Sequence, residues 1–256
     1  MLTDLIAGAV ADATARRAAR SQADIERAAA ARPPALDVLA ALAASSRVKI
    51  IAEVKRASPS RGPLADIPDP ADLAARYVRG GASAVSVLTE GRRFGGSLAD
   101  LEAVRAAVDV PVLRKDFIVL PYQVFEARAS GADLVLLMAS ALDQSELVEL
   151  HDLVESLGMT ALVETHDATE LQRAIDVGAK VIGVNARNLA TFELDRDLFG
   201  TLAGGIPQGT IKVAESAVSS AADVAHYRSA GADVVLVGEA LVTSDPESTL
   251  AEFLAV

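Results

Sequence analysis

A Gly-Ala pair recurs four times at almost even spacing, and this repeat constrains the fold more than any other feature of the sequence. The pairs begin at Gly81, Gly131, Gly178 and Gly231, which leaves intervals of 50, 47 and 53 residues. Each pair stands between an amphipathic stretch and a short apolar run. A glycine at that place can end a helix in the left-handed conformation, so each pair predicts a helix end followed by a strand.

Eight short runs have the composition of buried strands, and two of them begin within each interval of the repeat. They are VKIIAEV from Val48, AVSVL from Ala84, PVLRK from Pro111, DLVLL from Asp133, TALVE from Thr160, VIGVN from Val181, IKVAE from Ile211 and VVLV from Val234. Patterns typical of helices, about ten to fifteen residues long, separate these runs. Strands that alternate with helices indicate a parallel sheet, and four copies of a double unit indicate eight units.

The regularity of these units decides between two folds that suit the length of the chain. A chain of 256 residues matches one β/α barrel, and it also matches a doubly wound domain with a small partner domain. Eight equal units close naturally into a barrel, whereas a doubly wound sheet has no need of them. We therefore predict an α/β fold, an eightfold β/α (TIM) barrel, with additional N-terminal helices.

Residues 1–47 differ in composition from the remainder of the chain. They are rich in Ala and Arg, and their apolar positions between Leu2 and Val10 follow a helical spacing. We expect this segment to form a helical extension with its basic residues on a solvated face. No long linker follows it, so we predict a single domain over residues 1–256 in which the barrel occupies residues 48–256.

The composition also indicates which residues fill the core and which classes of partner are excluded. Apolar residues make up 51% of the chain and aromatic residues only 4%, which suits the aliphatic core of buried parallel strands.

The formal net charge of −11 repels phosphate backbones, so we expect no nucleic-acid partner. No apolar run reaches the roughly 20 residues that cross a membrane, and the start of the chain is unlike a signal peptide. We expect a cytoplasmic monomer without a membrane partner.

The chain offers few groups that could bind a metal ion. It has no cysteine, which excludes disulfides, thiolate zinc sites and thiol catalysis. Its histidines, His151, His166 and His226, lie far apart in the sequence without the spacing of metal ligands. We interpret them as exposed residues of helices or loops, and we predict no metal site.

Charged and polar residues stand at the ends of most of the predicted strands, where a β/α barrel carries its active site. They are Glu53 and Lys55, Lys115, Glu164, Asn185 with Arg187 beyond it, Glu215 with Ser216, and Gly238 with Glu239. Glu53 and Lys55 are two residues apart and project to one face, where a purely structural ion pair is the other interpretation. In a closed barrel these strand ends surround one depression, which we call the bowl. Opposite charges that converge on it perturb one another's pKa values, as acid–base chemistry requires.

Two segments have features of a phosphate site. The loop after the first strand reads RASPSRG, with hydroxyl side chains flanked by Arg56 and Arg61. Gly238 opens GEALV, which predicts a short helix whose first amides can bind phosphate. Barrels often bind a phosphate at the loops after the last two strands. Each feature alone is unspecific, because Ser-Pro-Ser is commonly just a turn.

The segment IIAEVKRASPSRG, from Ile50 to Gly62, resembles the first-strand motif of the indole-3-glycerol phosphate synthase family. Further segments resemble the same family in order along the chain. They are LTEGRRFGGS from Leu88, PVLRKDFIVLPYQVFEARASGADLVLL from Pro111, LVETHD from Leu162, VIGVNARNLATFELD from Val181, VAES from Val213 and VLVGEALV from Val235. The resemblance covers essentially the whole chain, including the N-terminal helices.

The resemblance implies a carboxy-lyase of tryptophan biosynthesis that needs no cofactor or metal. Its substrate would be a small sugar phosphate, 1-(2-carboxyphenylamino)-1-deoxyribulose 5-phosphate, and its products indole-3-glycerol phosphate, carbon dioxide and water. By the same resemblance, Lys115 would be the acid of ring closure. Glu164 and Lys55 would serve the later proton transfers, and Glu53 would hold and tune the lysines.

The resemblance also implies two sets of binding residues. Those that position the substrate would be Asn185, Arg187, Glu215 and Ser216. Those that hold the phosphate, mostly by backbone amides, would be Ser58, Ala217, Gly238 and Glu239.

Two of these positions depart from the residue that is usual in the family. Ala217 stands where the family usually has glycine, and Glu239 stands where many members have serine. The methyl group of Ala217 would crowd the phosphate. A carboxylate that faced the phosphate would repel it, so we expect the side chain of Glu239 to turn outward and only its amide to contribute.

Two other functions fit parts of the pattern. Lys115 at a strand end could form a Schiff base, as in an aldolase, although the neighbouring carboxylates suit proton transfer better. A non-catalytic barrel that binds a sugar phosphate or a partner protein would be expected to lack catalytic residues, and none is missing. Borohydride trapping and the appearance of indole fluorescence distinguish these hypotheses from a synthase.

Overall fold

The computed structural model describes residues 2–188 and 193–256, and its eight parallel strands close into a barrel, as the repeat predicts. The strands are β1 (Lys49–Val54), β2 (Ala84–Leu88), β3 (Val112–Lys115), β4 (Leu134–Met138), β5 (Thr160–Thr165), β6 (Val181–Asn185), β7 (Ile211–Glu215) and β8 (Val234–Val237). Each begins within one residue of its predicted start. β1 closes the barrel by pairing with both β8 and β2.

Helices precede the barrel and surround it. The helices before β1 are α1 (Leu2–Ala19), α2 (Gln22–Ala30) and α3 (Val38–Leu42). Those after β1 are α4 (Pro70–Arg79), α5 (Leu98–Ala107), α6 (Pro121–Ser130), α7 (Gln144–Ser156), α8 (Ala168–Asp176), α9 (Leu198–Ala203), α10 (Ala221–Ser229), α11 (Glu239–Val242) and α12 (Pro246–Phe253). A small hairpin, Ala57–Ser58 with Gly62–Pro63, lies in the loop after β1. None of the described helices combines the length and apolarity needed to span a membrane.

The repeated glycines have the conformation that their position predicts. Gly81, Gly131, Gly178 and Gly231 have φ angles of 100°, 92°, 75° and 96°. A side chain would be strained in this left-handed region, so glycine is favoured where the chain leaves a helix. Each of these glycines therefore turns the chain into an even-numbered strand of the barrel.

The buried core has two parts, and the N-terminal helices belong to the inner one. The larger cluster joins strand residues to residues of the surrounding helices. The second contains inward-facing strand residues such as Ile51 and Leu113. Leu5 of α1 and Leu42 of α3 belong to this second cluster. The helical extension therefore helps to bury the interior of the barrel.

A buried ionic network, which the sequence patterns did not predict, ties α1 to β3. Arg114 of β3 is fully buried, with its guanidinium 2.9 Å from Asp116 and 3.5 Å from Glu126 of α6. Arg16 of α1 donates to both carboxylate oxygens of Glu126. Removing one partner of such a buried pair is strongly destabilising. Because Lys115 directly follows Arg114, the network holds the strand end that carries Lys115.

Candidate active site

Charged residues from three strand ends meet around the ammonium group of Lys115. Lys115 ends β3, Glu164 lies in β5 and Glu215 ends β7, so alternate strands supply them, as in one layer of a barrel. Lys115 Nζ lies 3.4 Å from Glu164 Oε2 and 3.4 Å from Glu215 Oε2. Both carboxyl groups are buried, whereas Lys115 exposes 16% of its side chain. Lys115 is therefore the member of this cluster whose side chain reaches the solvent.

The close packing shifts the pKa values of all three groups. Burial lowers the pKa of Lys115, but the carboxylates of Glu164, Glu215 and Glu53 outweigh burial and raise it. Burial raises the pKa of Glu164, but Lys115 and His166 outweigh burial and lower it. Burial and the charge of Glu164 together raise the pKa of Glu215 well above its ordinary value. These directions favour a charged Lys115 and place the two carboxyl groups in opposite senses, with Glu164 easier to ionise than Glu215.

Glu53 and Lys55 form the pair that their spacing predicts. Lys55 Nζ lies 3.4 Å from Glu53 Oε1, and Ser86 Oγ donates to Glu53 Oε2 over 3.4 Å. Gly238 leaves room for this carboxylate, because a Cβ atom there would stand 2.7 Å from Glu53 Oε1. Lys55 and Lys115 line the same cavity, so the bowl presents two ammonium groups.

Asn185 connects the acid–base cluster to the neighbouring strand ends. Its Nδ2 donates to Glu164 Oε1 over 3.2 Å, and its Oδ1 accepts from Ser216 Oγ over 2.8 Å. The backbone amide of Arg187 donates to the same Oδ1 over 3.0 Å. The residues predicted to position the substrate therefore surround the same bowl as those predicted to transfer protons.

Two adjoining cavities of about 530 and 100 Å³ open at this end of the barrel. The loops after β7 and β8 form one wall of the larger cavity. The smaller cavity has an apolar end, which the sequence patterns did not predict. Its apolar residues are Leu5, Leu88, Phe94, Phe117, Leu136 and Met138. The bowl therefore has a polar side, a charged floor and an apolar side.

All four predicted phosphate-binding residues line these cavities: Ser58, Ala217, Gly238 and Glu239. Ser216 and Ala217 have φ angles of 69° and 55°, in the left-handed region that favours glycine. The alanine is therefore strained where the resembling family usually has glycine, at a cost of about 1 kcal/mol. Gly238 is the N-cap of the short helix α11.

One expectation about the polar side is wrong. The carboxylate of Glu239 does not turn outward: it lines both cavities, with Oε1 2.6 Å from a guanidinium nitrogen of Arg61. The positive charge of Arg61 attracts the Glu239 carboxylate across the opening of the larger cavity. Of the two arginines in the first loop, Arg56 is engaged elsewhere: its guanidinium binds Asp100 at 2.6 Å and the carbonyl oxygen of Ile67. The first loop therefore brings one of its two arginines to the cavity.

The histidines are also less exposed than expected. His151 is buried in α7, and His166, just after β5, exposes only 14% of its side chain. Only His226 is exposed, as expected. His151 fills an inward position of its amphipathic helix, and His166 packs beside Glu164. Within residues 2–188 and 193–256, no three His, Asp or Glu side chains are grouped so that they could hold a metal ion.

Solved structures of other enzymes share this fold. The chain is similar to 3-hexulose-6-phosphate synthase from Salmonella typhimurium, with a TM-score of 0.67 and 16% identity over 81% of this chain and 97% of that one. It is also similar to thiamine phosphate pyrophosphorylase from Pyrococcus furiosus, with a TM-score of 0.59 and 13% identity over 80% and 93% of the two chains. At such low identity these similarities concern the fold alone.

Sequence comparison is more specific. Residues 2–253 match the sequence model of indole-3-glycerol phosphate synthase. The chain is 69% identical to the indole-3-glycerol phosphate synthase of Leifsonia xyli, over 100% of this chain and 98% of the other. It is 59% identical to that of Rhodococcus opacus, over 99% and 94% of the two chains. The chain therefore belongs to the indole-3-glycerol phosphate synthase family, the carboxy-lyases of tryptophan biosynthesis.

Proposed function

We propose that this bowl converts 1-(2-carboxyphenylamino)-1-deoxyribulose 5-phosphate into indole-3-glycerol phosphate, carbon dioxide and water. The observation that carries the proposal is the position of Lys115, whose ammonium group lies 3.4 Å from two buried carboxyl groups at the cavity. Ring closure onto a ketone needs a positioned acid, because negative charge develops on the ketone oxygen. The neighbouring carboxylates keep Lys115 in the protonated form that this step requires.

In ring closure, the aromatic carbon that bears the carboxylate attacks the ketone carbon. The electron pair of the carbonyl moves to oxygen, and Lys115 donates a proton to that oxygen. The apolar side of the bowl, with Phe94 and Phe117, suits the benzene ring of the substrate. Carbon dioxide then leaves, and the electrons of the broken bond restore the aromatic ring.

The last step removes water. Hydroxide leaves the former ketone carbon with a proton from Lys55, while Glu164 takes a proton from the neighbouring carbon and the double bond of indole forms. Glu53, 3.4 Å from Lys55 Nζ, holds that lysine in place. One proton is drawn from solvent over the whole reaction, because the loss of carbon dioxide from a carboxylate consumes a proton.

We place the substrate phosphate where the two cavities adjoin, between the amides of Ala217, Gly238 and Glu239 on one side and the hydroxyl of Ser58 on the other. Amides at a helix start and at a turn bind anions well. Arg61 and Arg187 supply the local positive charge that a phosphate needs in a chain with a net charge of −11. Crystals soaked in phosphate should hold the anion here, and an anion found only elsewhere would contradict the placement.

Addition of the carboxyphenylamino substrate should produce indole fluorescence without an added metal or cofactor. A folded protein that gives no such signal would contradict the proposed function. Borohydride treatment with substrate should leave Lys115 unmodified, because a strongly protonated lysine is a poor nucleophile. A reduced adduct on Lys115 would favour an aldolase instead.

We further propose that the protein works in the cytoplasm as a monomer, without a nucleic-acid or membrane partner. The acidic surface supports this, because it repels nucleic acids and anionic lipids. Light scattering across a range of protein concentrations should give the mass of one chain. A dimer mass at assay concentrations would contradict this proposal.

A further inference from the structure

Glu164 and Glu215 are placed alike around Lys115 but have different surroundings. Each has its Oε2 atom 3.4 Å from Lys115 Nζ, and each is buried. Two carboxyl groups packed beside one ammonium group do not both ionise readily, so one of them keeps a proton. Because Lys115 is equally close to both, another group must decide which carboxyl is charged.

The difference lies at the other oxygen atom of Glu164. Asn185 Nδ2 donates to Glu164 Oε1 over 3.2 Å, and His166 Nε2 lies 3.4 Å from the same oxygen. Glu215 interacts with Glu164 itself, and neither of its carboxyl oxygens has another hydrogen-bond partner among the described residues. Since the amide of Asn185 is neutral, His166 is the neighbour of Glu164 that can add a second positive charge.

The contacts of His166 indicate that its ring is an imidazolium. Its Nδ1 lies 3.0 Å from Glu170 Oε2, and its backbone amide donates to the same oxygen over 2.8 Å. Nδ1 therefore carries a proton. Nε2 lies 3.4 Å from Glu164 Oε1, a charge contact without the geometry of a hydrogen bond. A positive ring is stabilised beside this carboxylate, whereas a neutral ring would bring a lone pair towards it.

The charges around His166 agree with this. Burial lowers the pKa of His166, and so does the charge of Lys115. The hydrogen bond to Glu170 and the charges of Glu164 and Glu170 outweigh both effects, and the pKa is raised. The ring stands between one carboxylate in the cavity and one at the start of α8.

We propose that His166 is the positioning residue that fixes the negative charge on Glu164 and leaves the proton of the buried pair on Glu215. The inference rests on the proposed function, in which Glu164 must be ionised to take a proton in the last step. The spacing of residues in the local sequence brings His166 between the two carboxylates. Glu164 and His166 are two residues apart and so point to the same side, while Glu170 lies one helical turn beyond His166.

Nuclear magnetic resonance of the three histidines tests the charge of the ring in the substrate-free protein. The imidazole of His166, identified by its loss in His166→Gln, should stay protonated above the ordinary histidine pKa of about 6.5. Glu170→Gln should lower the pKa of the His166 imidazole, because one of the two facing carboxylates is lost. A ring that is neutral at pH 7, or that does not respond to Glu170→Gln, would overturn the inference.

Two further measurements test the effect of His166 on the carboxyl pair. The infrared spectrum of the parent should contain a protonated-carboxyl band that Glu215→Gln removes and that His166→Gln shifts or splits. His166→Gln should lower kcat roughly tenfold, because a smaller fraction of Glu164 is then ionised, and leave KM within about twofold. His226→Gln, which removes an exposed imidazole paired with Asp197, should change neither the carboxyl band nor kcat.

An unchanged carboxyl band and an unchanged kcat in His166→Gln would show that His166 does not distinguish the two carboxyl groups. That result differs from a failure of the proposed function. Parent protein that turns over in the same assay supports the synthase reaction whatever His166 does, whereas parent protein without turnover contradicts the reaction itself.

Discussion

The two sides of the bowl are built in opposite ways. The acid–base side consists of side chains at strand ends, and Glu53, Glu164 and Glu215 there are at most 3% exposed. The side to which we assign the phosphate consists of loop backbone, with the exposed Arg61 paired to Glu239 and two residues in the left-handed region. Rigid strands suit groups that must hold position in a transition state, whereas loops can close on a phosphate.

This structural difference predicts that substitutions on the two sides affect different kinetic parameters. Changes on the strand side should lower kcat and leave substrate binding almost intact, because proton transfer matters only in the transition state. Changes on the loop side should alter KM and leave kcat almost intact. A variant that affected both parameters equally, on either side, would weaken this distinction.

The largest effect is expected on the strand side, at Glu164. Glu164→Gln keeps the size and hydrogen-bonding capacity of the side chain and deletes the group that titrates. We expect kcat to fall roughly 10²- to 10⁴-fold, with KM little changed, as measured by steady-state indole fluorescence. A variant within threefold of the parent would remove Glu164 from the mechanism.

On the loop side, Arg61→Ala should raise KM roughly tenfold, because a charged partner proposed for the phosphate is lost. We expect kcat to stay within about twofold. Arg79→Ala is the matched control, because Arg79 pairs with Glu247 on the outer helices. The substitution removes the same charge from a residue that does not line the bowl. Equal effects of the two substitutions would mean that only net charge matters.

Glu239→Ser should have a smaller effect in the opposite direction. The substitution removes a carboxylate from the cavity wall and frees Arg61 for the phosphate. We expect KM to fall about threefold, the size of a weak charge contact in a wet site. A rise in KM would mean that the ion pair between Glu239 and Arg61 helps to shape the phosphate site.

The smallest effect is expected for Ala217→Gly. Glycine relieves about 1 kcal/mol of left-handed strain at this position. It also increases the freedom of the unfolded chain, which offsets roughly 0.5–1 kcal/mol. We therefore expect a nearly unchanged melting temperature in calorimetry, with KM equal or lower. A higher KM would mean that the methyl group of Ala217 does not crowd the phosphate.

The sequence predicted the strand side better than the loop side for a physical reason. A barrel sends every strand end to the same bowl, so the positions of Lys115 and Glu164 follow from local patterns and the closure of the sheet. The orientation of Glu239 depends on Arg61, which comes from a loop near the other end of the chain. Such pairing between distant segments leaves no periodic signal in the sequence.

The same reason explains the other features that the sequence patterns missed. Leu5 reaches the apolar end of the bowl from α1, and the burial of Arg114 depends on partners from α1 and α6. His166 looked like an exposed loop residue, because its burial depends on the packing of the barrel, which its position in the sequence does not reveal. The prediction that the N-terminal helices and the barrel form a single domain stays a prediction.

The most direct test of this kinetic difference between the two sides is to measure substrate affinity and turnover together in Lys115→Met. Methionine keeps much of the length and the apolar packing of lysine but cannot donate a proton. We predict a dissociation constant for the substrate close to that of the parent, and a kcat at least about 10²-fold lower, in a protein with the parent's circular dichroism spectrum. Normal turnover, or an equal loss of affinity and turnover, would contradict the assignment of Lys115 as the acid of ring closure.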